Sequence, residues 1–290
     1  MEPTGLTPGN NKAQSPKPSA ESHVPDRINR ADDPRIVAYR DLTDPELVRS
    51  RGLFIAEGRI VVRRIIEDGR WRVQSVLVSE AARIGLQPSL DRIADRVPVY
   101  VCAASAFLGI TGHDIHRGCL ALVERPPAQA PEALVRSAQM VVVLEGVTNA
   151  DNVGGIFRNA AAFGADAVLL SPTSCDPLYR KAIRTSMAAV LRVPFARVDG
   201  WPHGLVCLRE AGFTTVALTP RAPARTLEDF SANPRPRRIA LVVGTEGEGL
   251  SPALEEIADV RVRIPIADDV DSLNVAVAAG IALYGLRNCR

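Results

Sequence analysis

Net charge is close to absent: 35 Lys and Arg face 33 Asp and Glu, leaving +2, so no global field advertises a polyanionic partner. Lysine is nearly missing and occurs only as Lys12, Lys17 and Lys181. Arginine suits phosphate and base edges better than lysine, but a GC-rich gene produces the same bias. The five cysteines, Cys102, Cys119, Cys175, Cys207 and Cys289, are odd in number and never form a CxxC pair. That excludes a disulfide framework and a cysteine zinc site, and it points to reduced thiols in a cytoplasm; no metal is expected. No apolar leader opens the chain. The longest nearly apolar run, residues 275–286, is too short to span a bilayer. A soluble, cytoplasmic protein is expected.

What is present suffices for one large or two ordinary domains, with 46% hydrophobic residues in 290. Residues 1–34 hold six prolines, no aromatic residue and few large aliphatics; such a segment buries too little surface to offset its ordering entropy and reads as a disordered tail. Residues 35–125 read as a small α/β unit. GLFIAEGRIVVRRIIEDG (52–69) carries apolar residues at helical spacing and ends on glycine, the pattern of an amphipathic helix. VQSVLVS, VPVYVC and GCLALVE read as strands. RPPAQAPEA (125–133) holds three prolines and breaks the pattern, and residues 126–138 read as a linker. From 139 to 290, MVVVLEG, AVLLS, TTVAL and RIALVVG are near-continuous aliphatic runs, as parallel strands covered on both faces require. Helical patterns fall between them: VGGIFRNAAAFG, LYRKAIRTSMAAV and HGLVCLREAG. The fold class is therefore α/β, with a parallel sheet in the larger unit. The closing SLNVAVAAGIALYGLRN is apolar nearly all round, so it is a buried or an interface helix.

Three segments of the larger unit concentrate polar residues where a core would have none. NADNVGGIFRNAAAFG (149–164) follows a strand and opens a helix, with Asp151 or Asn152 as its expected N-cap; ligands of open α/β sheets sit at this end of the strands. LVVGTEGEGLS (241–251) resembles a phosphate-binding turn in its three glycines, yet it carries Thr245, Glu246 and Glu248 and no cation. RIPIADDVDSLNVAVAAG (263–280) runs from a strand through Asp268, Asp269 and Asp271 into a helix expected to begin near Ser272. Acids before a helix are often dipole complements only, but Asn274 just inside such a helix has no local task.

Together the three segments resemble the motifs of the SpoU (TrmH-like) RNA 2′-O-ribose methyltransferases of the SPOUT superfamily. The resemblance is carried by Asn152-Val153-Gly154 with Arg158 six residues after Asn152, by Gly244-Thr245-Glu246-Gly247 with Gly249-Leu250-Ser251, and by Ile264-Pro265 with Ser272-Leu273-Asn274-Val275. IRTSMAAVLRVPF resembles the stretch between the first two motifs. DPRIVAYRDL, LFIAEGRIVVRRI and HRGCLALVERP resemble the family's separate substrate-binding domain. Asn159 stands where Thr or Ser is usual, Thr245 where Ser is common, and Ala267-Asp268-Asp269 replaces a frequent Met-x-Gly.

The resemblance implies S-adenosyl-L-methionine as cofactor, RNA (rRNA or tRNA) as substrate, a trefoil-knotted methyltransferase domain over 139–290, and a homodimer through the knot region. It implies catalytic roles for Arg158, Asn152, Glu246, Ser272 and Asn274, and cofactor contacts through Gly244, Ile264 and Leu273. A phosphate-free sulfonium ligand explains why the glycine loop carries acids and no lysine. The residue matching Arg158 is either an unusual base or a clamp on the target phosphate. A binding-only paralogue would share this fold but not need Asn152, Arg158, Glu246, Ser272 and Asn274 together. A Rossmann oxidoreductase would need a GxGxxG turn after its first strand, which the chain does not offer.

Overall fold

The computed structural model describes residues 26–40, 43–111, 118–232 and 234–287. The smaller unit runs β1 (Asp26–Ile28), a 3-10 turn (Pro34–Ile36) into α1 (Val37–Arg40), β2 (Leu53–Glu57), α2 (Arg59–Asp68), β3 (Val73–Ser79), α3 (Glu80–Leu90), β4 (Val99–Cys102), α4 (Ala106–Thr111) and β5 (Cys119–Glu124). Its five strands form one mixed sheet in the order β1-β4-β3-β5-β2. The larger unit runs α5 (Pro131–Val135), β6 (Met140–Leu144), α6 (Ala150–Phe163), β7 (Ala167–Leu170), α7 (Arg180–Thr185), β8 (Phe195–Arg197), α8 (Val206–Glu210), β9 (Thr214–Leu218), β10 (Arg225–Thr226), α9 (Leu227–Ala232), β11 (Ile239–Val243), α10 (Pro252–Ile257), β12 (Val260–Arg263) and α11 (Val275–Leu286). Its seven strands are ordered β10-β12-β9-β11-β6-β7-β8, and every pairing is parallel.

The aliphatic runs are explained by burial on two sides. In β6, Val142 and Leu144 join the core under α6 and α11, while Val141 and Val143 join the core under α5, α8 and α10. All four are fully buried, so neither face can be polar. Among the described residues no helix is long and apolar enough to cross a membrane.

Three expectations need correction. Residues 26–34 are not tail: β1 pairs in parallel with β4, and Ile28 is buried; residues 1–25 lie outside the described residues. The expected helix over 52–69 splits, because Leu53–Glu57 is a strand antiparallel to β5 and Gly58, at φ 101°, breaks the chain before α2. A four-residue apolar run fits either element, and here pairing with β5 decides it. The second half of the expected linker is α5, whose Val135 is buried with Ala138 in the larger unit's core. Strands β8 and β10 are additions that short, partly polar sequences concealed.

The two units meet along β2, α2 and α7. Asp44 accepts from the Arg180 Nε at 2.8 Å, Glu57 pairs with Arg184 at 3.2 Å, and Arg125 reaches the buried Asp176 at 2.7 Å. The buried apolar cluster of the smaller unit is continuous with that under α6.

Candidate active site

The segments after β6, β11 and β12 all emerge at the carboxyl ends of parallel strands, where an open α/β sheet leaves its crevice. Asn149 caps α6: its Oδ1 accepts from the Asp151 backbone N–H at 2.8 Å, so neither Asp151 nor Asn152 is the cap. Asn152 is thereby carried into the first turn, where it is buried. Asp151 turns outward to the Thr185 hydroxyl at 2.8 Å and the Lys181 ammonium at 2.7 Å. The hydrogen bond from Lys181 holds its carboxyl below the usual carboxylate range. Asn274 likewise is a cap and not an interior residue. Its Oδ1 accepts from the N–H groups of Ala276 and Val277 at 3.0 and 3.2 Å, so α11 begins at Val275, not near Ser272.

The glycine loop is set by close main-chain approach. A Cβ on Gly244 would strike the carbonyl of Gly249 and lie 2.5 Å from the Leu250 nitrogen. Below it, Glu145 accepts from the backbone and side chain of Ser251, both at 2.8 Å, and from the Trp201 indole at 2.9 Å. Arg221 holds the far side through the carbonyls of Leu250 at 3.2 Å and Glu248.

These constraints bring three side chains from three segments into one ring. The Asn152 amide donates to Glu246 Oε1 at 2.5 Å; the Asn274 amide donates to the same oxygen at 3.0 Å and to Asn152 Oδ1 at 2.9 Å. The ring provides no positive charge. Beside it lies a cavity of about 310 Å³ lined by Gly244, Glu246, Ile264, Ser272, Leu273 and Asn274 together with Leu218, Thr219, Pro220, Val243, Thr245, Gly247, Gly249, Ile266, Val275 and Ala278. No lysine, arginine or histidine lines it. Six of the eight residues expected at the site line the cavity directly, and Asn152 joins them through the ring.

Leu218, Thr219 and Pro220 escaped the sequence reading. They follow β9 at the same sheet end, so the position of TTVAL among parallel strands was the available signal. Thr219 is buried and donates to Glu255 at 3.0 Å.

Arg158 is not with the other candidates. It is exposed on α6 and, among the described residues, has no ion-pair or hydrogen-bond partner. It lines a separate groove with Gly155, Asn159, Phe163, Thr185, Ala276, Val277, Gly280, Ile281 and Tyr284. Val277, Ile281 and Tyr284 are 52%, 40% and 55% exposed. Asn159 gains a reason in place of the usual hydroxyl residue: its amide donates to the Ala276 carbonyl at 2.7 Å and ties α6 to the start of α11.

The buried thiols are poorly suited to nucleophilic chemistry. Burial pushes the Cys119 thiol up to about 12 and those of Cys102 and Cys175 up to about 11. No group of three or more His, Cys, Asp or Glu among the described residues could hold a metal.

The model of the SpoU rRNA Methylase family matches residues 139–284, the unit that holds all three segments. The chain belongs to this family. An uncharacterized tRNA/rRNA methyltransferase of Mycobacterium bovis is 41% identical over 257 residues, covering 87% of this chain and 88% of its own. The 23S rRNA (guanosine(2553)-2'-O)-methyltransferase of Bacillus subtilis is 27% identical over 90% of this chain and 99% of its own. Among solved structures, an RNA 2'-O ribose methyltransferase superposes with a TM-score of 0.70 at 28% identity, over 89% of this chain and 97% of its own. An AdoMet-bound rRNA methyltransferase from Sinorhizobium meliloti gives 0.75 at 24% identity, over 89% and 96%, a likeness of fold that extends through both units of this SpoU-family chain.

Proposed function

We propose that this SpoU-family chain transfers a methyl group from S-adenosyl-L-methionine to a ribose 2′-hydroxyl of RNA, with ribosomal RNA as the favoured substrate. The observation that carries the reading is the Asn152–Glu246–Asn274 ring at the edge of a cation-free cavity. The cavity lies in the size range of small-molecule sites. Its walls are loop backbones and aliphatic side chains, which suit an adenine edge and a ribose. Its carboxylate suits a sulfonium and would repel a phosphate. When bound, S-adenosylmethionine supplies the electrophilic methyl group.

The chain's own residues then bind and align. Gly244 lets the main chain approach the nucleoside, and Ile264 and Leu273 hold it from the loop after β12. Ser272 and Asn274 sit at the methionine end. Asn152, fixed by Glu246, presents its remaining amide hydrogen toward the target ribose. Such fixed dipoles need little reorganisation when the reaction occurs.

Arg158 enters differently. Its groove is apolar, exposed and continuous with α11, and we take this face as the contact with a second copy, gathered around the trefoil knot that the family resemblance implies. In a two-fold dimer the same patch meets itself, and in this reading Arg158, which lines it, serves the partner subunit's cavity. There it either receives the hydroxyl proton, against a pKa above about 12, or clamps the adjacent phosphate through its planar fork. The smaller unit supplies RNA recognition.

Thermal unfolding with S-adenosylhomocysteine tests the cavity: melting should rise with ligand and not with NAD. A chain that binds neither, or that prefers NAD, would remove the basis of the proposal.

A further inference from the structure

We propose that the RNA, beyond the reaction site that Arg158 serves, crosses the domain junction over the outer face of α2, where Arg64 and Arg63, flanked by Arg59, hold its phosphates. The inference rests on the reading of the chain as an RNA methyltransferase and names the surface that the smaller unit offers to the substrate.

Helix α2 buries Val61, Val62, Ile65 and Ile66, which turns Arg63 and Arg64 to the exposed side by simple helical periodicity, with the half-buried Arg59 on their flank. Arg63 donates through Nη2 to the Gly85 carbonyl at 3.1 Å. Arg59 passes over the same glycine, since a Cβ there would lie 3.1 Å from its Nη1. Arg64 reaches the other way and donates through Nη1 to the Met187 carbonyl of the larger unit at 2.7 Å. Met187 and Ala188 hold positive φ angles of 51° and 67°, so the chain bends outward where Arg64 meets it. Thr185, two residues earlier, lines the groove that contains Arg158. The edge of that groove, where Arg158 is presented, therefore adjoins α2 across the junction.

The charge on this path is not cancelled by neighbouring carboxylates. Arg184 and Lys181 beside it are neutralised by Glu57 and Asp151. Arg59, Arg63, Arg64 and Arg158 have no carboxylate within ion-pair distance among the described residues. Glu67, the acid on this face of α2, accepts from Ser89. Arg63 and Arg64 are each anchored through one donor to a main-chain carbonyl, which leaves most of a five-donor fork free and already oriented. Anchored, uncompensated guanidiniums on either side of one exposed helix face fit successive phosphates of a backbone laid across it. Ile60 and Met187, 41% and 40% exposed, lie on the same path and offer apolar contact to ribose or base. Contacts of this kind position an RNA without reading its sequence.

The test is the salt dependence of binding to a labelled RNA stem–loop by the full chain. Counterion release gives a slope of about 0.7 to 0.9 per neutralised phosphate, so R63Q/R64Q should flatten log Kd against log salt by roughly 1.4 to 1.8. R63K/R64K should restore most of the slope, because the charge returns without the fork. R136Q/R209Q removes two exposed arginines elsewhere and should change the slope little. S-adenosylmethionine affinity should be the same in all four proteins, which excludes misfolding. Equal slopes for R63Q/R64Q and R136Q/R209Q would overturn the path, as would failure of the lysine pair to restore the slope. An unmodified slope in R63Q/R64Q would assign this face to an acidic protein instead and would equally overturn it. If the unmodified chain itself bound no RNA while binding S-adenosylmethionine, the RNA reading would fail along with the path.

Discussion

Gly244→Ala is the smallest change that tests the cavity. The added methyl would strike the Gly249 carbonyl and approach the Leu250 nitrogen to 2.5 Å, against an ordinary carbon contact of about 3.5–4.0 Å. All these atoms are main chain, so no side chain can swing aside. Gly244 has no positive φ among the backbone angles of this loop, so the penalty is steric and not conformational. Overpacking of this kind costs about 1–3 kcal/mol. If the loop keeps its shape, the cost appears as stability, about 2–4 °C of Tm per kcal/mol for a domain of 150–250 residues. If the loop opens to relieve the clash, Thr245 and Glu246 move, and affinity for S-adenosylhomocysteine falls by roughly fivefold to a hundredfold. Calorimetric titration and thermal unfolding together capture both routes. An alanine variant with Kd within about twofold and an unchanged Tm would show that the close approach is not what shapes the cavity.

Arg158→Ala should lower turnover by roughly 10² to 10⁴, the range for a lost proton-transfer or positioning group, with cofactor affinity nearly unchanged because Arg158 lies outside the cavity. Arg158→Lys should retain part of the rate with an unchanged pH profile if the residue is a clamp, and shift the profile if it is a base. Mixing inactive Arg158→Ala and Glu246→Gln chains should restore about a quarter of full activity if Arg158 serves the partner's cavity, since half the two-fold dimers are mixed and each has one intact site; no recovery would place Arg158 in its own subunit's reaction. Removing residues 1–25 should leave folding and transfer nearly unaltered, whereas removing 1–36 also deletes the buried Ile28 and Ile36 and should cost on the order of 3 kcal/mol or more by urea unfolding. At pH 8 a thiol reagent should not modify Cys102, Cys119, Cys175 or Cys207 until the chain is unfolded, because burial keeps these thiols protonated; rapid labelling of any of these four in the folded chain, located by peptide mapping, would contradict the packing.

Legibility in the sequence followed the physics of each element. β6 and β11 were plain because a parallel strand covered on both sides cannot be polar on either. Strand β2 was hidden because LFIA satisfies a helical and an extended pattern equally, and only its partner β5, more than sixty residues away, decides. The caps at Asn149 and Asn274 lie within three residues of the positions expected, an ambiguity intrinsic to runs of Asn, Asp and Ser that can all cap. Asn152, Glu246 and Asn274 could be named from their segments, but their ring depends on three loops converging. Local sequence does not encode that convergence. The offset of Arg158 was the least visible feature. Six residues turn a helix through 600°, so Arg158 stands well away from Asn152 and on a different face.

The most direct measurement uses ribosomal RNA isolated from cells that lack this chain, incubated with the purified protein and methyl-labelled S-adenosylmethionine. The RNA is then hydrolysed in alkali and its nucleosides are separated. The account predicts label in an alkali-resistant dinucleotide and, after enzymatic digestion, in a 2′-O-methylnucleoside, with Asn152→Ala and Glu246→Gln abolishing it. Label on a base, or no transfer to RNA by a chain that binds S-adenosylmethionine, would contradict it.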